Sequence, residues 1–122
     1  MSRSVLLQLA RDSIEEVLEA QRTIDITALL QEHPLLHENI NVAVNIFIND
    51  KLKSSYRLEK SDTSLLYNII IAAKKAAFES GEVITTSQYL HTEIELILDT
   101  PDGKINQKDP AIIGTAYEET VS

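Results

Sequence analysis

Residues 40–48 read INVAVNIFI, with Ile40, Val42, Val44, Ile46 and Ile48 at the even positions and Asn41, Ala43, Asn45 and Phe47 between them. Side chains of a strand point alternately to the two faces of a sheet, so this period predicts a strand with one face on a core. Asn49 and Asp50 tolerate left-handed backbone, and after them the even pattern resumes as Leu52, Ser54, Tyr56 and Leu58. That combination predicts a hairpin whose return arm keeps Leu52 on the core side. Lys53, Ser55 and Arg57 then share the other, solvent-facing side.

Around the hairpin the period changes to that of helices. Val5, Leu6, Leu9, Ala10, Ile14, Val17 and Leu18 recur every three or four residues, predicting an amphipathic helix over 4–21 with Arg11, Asp12, Glu15, Glu16 and Glu19 off the buried stripe. Asp25 or Thr27 caps a short second helix that Pro34 ends. Ser61 or Asp62 caps an alanine-rich helix running from Leu65 through Phe78 and closed by Gly81. Ile94, Leu96 and Leu98 alternate with Glu93, Glu95 and Asp99 in a third strand stopped by TPDG, and AIIGTAY in the tail, 104–122, supplies a short further strand. The expected fold is α+β: one domain, 1–122, with a mainly antiparallel sheet of three to four strands covered by two long helices.

With 122 residues, 43% hydrophobic and 25% charged, the chain is long enough for one core of its own. It has no cysteine, which removes disulfides, zinc thiolates and a thiol nucleophile. Nineteen acidic against eleven basic residues give a net charge of −8, which disfavours a nucleic-acid partner because phosphate binding needs clustered Lys and Arg. The first apolar run is broken by Arg11, Asp12, Glu15 and Glu16, and no uncharged apolar run reaches membrane-spanning length. A cytoplasmic protein with no membrane contact is expected.

Three groups of side chains invite a chemical reading. Lys53, Ser55 and Arg57, with Tyr56 beside them, offer two cations and hydroxyls to a phosphate or carboxylate. Against that, the arm has no glycine to bring backbone amides to an anion, and charges of this kind also protect a sheet edge from pairing. His33 and His37 are four apart, yet Pro34 biases His33 out of the helix that would aim both at one metal. Glu93 and Glu95 share one strand face at a spacing of about 7 Å, but nothing in the sequence buries them to shift a pKa. No cofactor and no metal are therefore expected. Phe47 and Ala43 interrupt the polar side of the first strand, which implies that this face is covered by another part of the chain or a second subunit.

LLQLARDSIEEVL, VAVNIFINDKLK, IIIAAKKAAFES and TEIELILDTP, in that order, resemble the opening helix, strand and turn, alanine-rich helix ending in AAFED, and LEIEVSVLTP strand of the AMME-syndrome candidate-gene (AMMECR-one-like) family. The resemblance covers about residues 4–101. The family's LRGCIG signature falls on Leu52 to Arg57, where only the leucine and a positive charge are kept. This implies a divergent, shortened member that has lost whatever the signature does. A non-catalytic accessory or binding module is expected, as a homodimer or with a protein partner. The alternative is an enzyme or small-anion binder using Lys53, Ser55, Tyr56 and Arg57.

Overall fold

A computed structural model describes residues 4–58, 62–81 and 83–113. The alternating run forms β1 (Asn41–Ile48) and the return arm forms β2 (Lys51–Leu58). Between them Asn49 and Asp50 have φ of 54° and 64°. Left-handed backbone at both turn positions matches the twist of the strands, and Asn and Asp accept it at low cost. β3 (Thr92–Thr100) and β4 (Gly103–Asp109) complete a sheet of order β2-β1-β3-β4, antiparallel throughout.

Helices α1 (Val5–Leu18) and α3 (Leu65–Phe78) lie on one face of this sheet, so the α+β class expected from periodicity is the class observed. Val42, Val44, Ile46, Ile94, Leu96 and Leu98 face the helices and are at most 2% exposed. From α3 come Leu66, Ile69, Ala72, Ala73, Ala76 and Ala77, all wholly buried. The alanines let the helix lie close to the strands, near enough for the Ser54 hydroxyl to donate to the Ala76 carbonyl at 2.6 Å. A short α2 (Ile26–Glu32), capped by Asp25 as expected, leads into a 3-10 turn (Pro34–His37).

Several local expectations are corrected. Asp62 does not cap α3, and Ser61 lies outside the described residues; Ser64 holds the cap position without a side-chain bond. Tertiary contacts anchor the helix start instead: the Leu65 amide donates to the Glu38 carbonyl at 2.7 Å, and buried Asn68 donates to the carbonyls of Ile40 and Thr63. α3 also ends at Phe78, with Glu79 as its C-cap, before Gly81 is reached. A one-turn helix α4 (Thr86–Tyr89), absent from the expectation, is set by Thr85 and Gln88, each side chain bonding the other's backbone amide.

The fourth strand is not AIIGTAY. Residues 111–113 are irregular, the rest of that stretch lies outside the described residues, and GKINQKD forms β4. Gly103, at φ 125°, makes the reversal that folds this polar segment back on β3. Backbone pairing along β3 defines the strand; its side chains show almost no alternation of apolar and polar residues to find it by.

At the far end of α1, Glu16 closes the next loop. Its carboxylate accepts from the Thr23 and Ile24 amides at 2.8 and 2.9 Å and pairs with Lys74 at 3.2 Å. Burial alone would raise its pKa, but the two amides and the ammonium hold it below the ordinary 4.5. A carboxylate whose folded pKa is depressed adds stability above the unfolded value and loses it as pH falls through the folded one. Glu16→Gln is expected to cost about 1 kcal/mol at pH 7. Urea titrations of both proteins should converge well below pH 4.5; an equal gap at pH 7 and pH 3 would contradict this role.

Candidate functional site

The hairpin arm does not carry its polar residues as one group. Opposite β1 the register runs Arg57 to Ala43, Tyr56 to Val44, Ser55 to Asn45 and Ser54 to Ile46, and then slips so that Leu52 faces Phe47. Lys53 is the extra residue of this β-bulge. The extra residue resets the alternation, so Leu52 faces away from the core and is 59% exposed, contrary to the expectation from parity. Ser55 and Arg57 share the face away from the helices. Tyr56 lies on the other face, where Lys75 Nζ sits 5.7 Å from the ring centre. The α-carbons of Lys53 and Arg57 stand about 13 Å apart along the strand. Thus two of the four predicted residues come together, Lys53 is displaced to the bulge and Tyr56 is turned away.

What the fold assembles on that outer face is a grid spanning all four strands. Glu95 is held at both oxygens, by Asn45 Nδ2 at 2.9 Å and Asn106 Nδ2 at 3.0 Å. Each oxygen thus accepts one amide N–H, which fixes the carboxylate between β1 and β4. Glu93 lies opposite Phe47, and its Oε1 is buried with no hydrogen-bond partner among the described residues. Lys108 extends over the same Phe47 ring, 4.6 Å from its centre. Ala43, only 4% exposed, and half-buried Ile97 pair across β1 and β3 as a second apolar spot, separated from Phe47 by the Asn45–Glu95 pair, and no described element covers either spot. With Arg57, Asn41 and Asp99, Ala43 and Ile97 line a cavity of about 160 Å³.

Charge is ordered by strand. Glu93, Glu95 and Asp99 form an acidic column on β3, while β4 sets Lys108 opposite Glu95 and Lys104 opposite Asp99. Arg57 supplies positive charge on the other side of β1. His33 ends α2 and His37 ends the 3-10 turn, with Pro34 between them. No group of three metal-ligating side chains occurs among the described residues.

The polar cluster most deeply set in the protein is one that periodicity hides. Arg11 lies wholly inside the fold. Its Nε donates to Asp109 at 2.6 Å, Nη1 to the Thr92 hydroxyl at 3.1 Å, and Nη2 to the carbonyls of Thr92 and Pro110 at 2.8 and 3.0 Å. The guanidinium stacks 5.2 Å from the centre of the Tyr89 ring, and the Tyr89 hydroxyl donates to Glu15 at 2.5 Å. Burial, and next the bond to Glu15, push the Tyr89 pKa above its ordinary value. With four of its five N–H groups used inside the protein, Arg11 is a clamp joining α1, α4, β3 and the end of β4.

No helix among the described residues is long and apolar enough to cross a membrane. No family model and no curated protein matches the chain. Among solved structures the fold is similar to an uncharacterized protein, PH0010, from Pyrococcus horikoshii, with a TM-score of 0.68 and 22% sequence identity over 79% of this chain and 50% of that one. At that identity the likeness is one of fold, and the chain spans about half the length of the Pyrococcus protein.

Proposed function

We propose that this chain is a non-catalytic binding module, a divergent relative of the AMME-syndrome candidate-gene family, and that a second copy covers its open sheet face. The family reading is supported by the order of the four resembling stretches, which fall on α1, the β1–β2 hairpin, α3 and β3. The binding reading is carried by one observation. The open face carries two apolar spots, Phe47 and the Ala43–Ile97 pair, that no described element covers.

An acidic column between basic ones suits a two-fold pair, because an axis over β1 sets Arg57 of each copy against the acidic column of the other. Arg57 has a place in that scheme without a small anionic ligand, since Asp99 shares its cavity and opposes an anion. Light scattering should give about 27 kDa, twice the 13.7 kDa of one chain, and Ile97→Lys should give a monomer. A wild-type protein that stays at 13.7 kDa through the micromolar range would remove the second copy from this reading.

A further inference from the structure

A second surface lies on the helix side of the sheet, away from the open face. Ile105 is opposite Leu98, on the face that the helices cover. Yet α1 reaches β4 only toward its end, where Ser4 bonds Gln107 at 2.6 Å and Arg11 bonds Asp109. Ile105 is therefore left 48% exposed on a face that is otherwise core. Leu35, in the 3-10 turn, is 49% exposed across from it. With Ile40 and Pro101 they line a groove of about 530 Å³, bordered by Glu38 and Asp102 and, among the described residues, by no Lys or Arg.

β4 is also an edge strand, and Ile105 alternates along it with Lys104 and Asn106. An extended segment pairing with that edge would send every second side chain to the groove side. We infer that this groove docks an extended, apolar-centred segment of a partner protein flanked by Lys or Arg. Charge selects this occupant. A chain of net charge −8 with a carboxylate rim attracts a basic segment and slows its escape. A second copy placed here by a two-fold axis would set Glu38 and Asp102 against themselves. The chain's own residues 114–122 carry Glu118 and Glu119 and no Lys or Arg.

The test is selection of displayed random decapeptides on the full chain, with counter-selection on Ile105→Asp. Enriched peptides should carry apolar residues at alternate positions between Lys or Arg ends. Their affinity should fall about tenfold or more in Ile105→Asp and in Leu35→Asp, but stay unchanged in Val83→Asp, which alters an exposed apolar residue elsewhere. Glu38→Gln with Asp102→Asn should flatten the salt dependence of binding. Leu35 and Ile105 are half exposed, so these variants should keep the wild-type circular dichroism. No enrichment, enrichment of acidic peptides, or unchanged affinity in Ile105→Asp overturns the inference. So does a change in molecular mass caused by Ile105→Asp, which would mark the groove as a contact between copies.

Discussion

Arg11→Met is expected to destabilise the protein by about 3–5 kcal/mol, because it takes the guanidinium away from the carboxylate of Asp109, whose side chain is 7% exposed. The same change frees the Thr92 and Pro110 carbonyls that Nη2 binds. It also unpins α4, whose Tyr89 stacks on the guanidinium. For a domain of this length the loss corresponds to a fall in Tm of about 10–20 °C. Arg11→Met combined with Asp109→Leu should recover much of the loss, since replacing both members of a buried pair by apolar groups is often near neutral. Urea unfolding of the three proteins checks this. A loss below about 1 kcal/mol in Arg11→Met would mean that the clamp does not hold the fold.

Leu96→Ala should cost about 2–5 kcal/mol. Leu96 is wholly buried near the middle of β3, with Val44 on one side and Gln107 on the other, under the helices. Neighbouring strands and helices hold the space open, so the lost methyl groups leave a cavity as well as a lost transfer energy. The next residue gives the contrast. Ile97 points to the open face, and Ile97→Ala in the monomer should cost less than half as much, because water can fill the space. Equal losses at the two positions would contradict a sheet covered on one face only.

These two predictions rest on features of different visibility. The alternation that buries Leu96 is present in the residues themselves, as are the β1–β2 turn and the alanine-rich α3, because local backbone preference and hydrophobic period agree there. Arg11 gives no such sign. On a helix wheel it borders the apolar arc, with Leu7 and Leu18 on one side and Glu15 on the other, and only the approach of β4, whose Asp109 lies 98 positions away, makes it an interior group. Thr85 and Gln88, by contrast, form a capping box at readable spacing, so α4 was open to recognition from the sequence.

The candidate site divides in the same way. Period two placed Ser55 and Arg57 on the outer face and Tyr56 on the inner one, but parity carries no information past an inserted residue. The bulge at Lys53 therefore turned Leu52 outward unannounced. The amide-held Glu95, the buried Glu93 oxygen and the groove beside Ile105 depend on which strand lies next to which and on how far α1 extends over β4. The sequence by itself determined α1, α3, the hairpin and the core side of β1 and β3, since those follow from short-range period and backbone preference. Tertiary structure alone decided β4, the Arg11 clamp and the two exposed surfaces, since pairing and desolvation between distant residues are settled only when the chain has closed on itself.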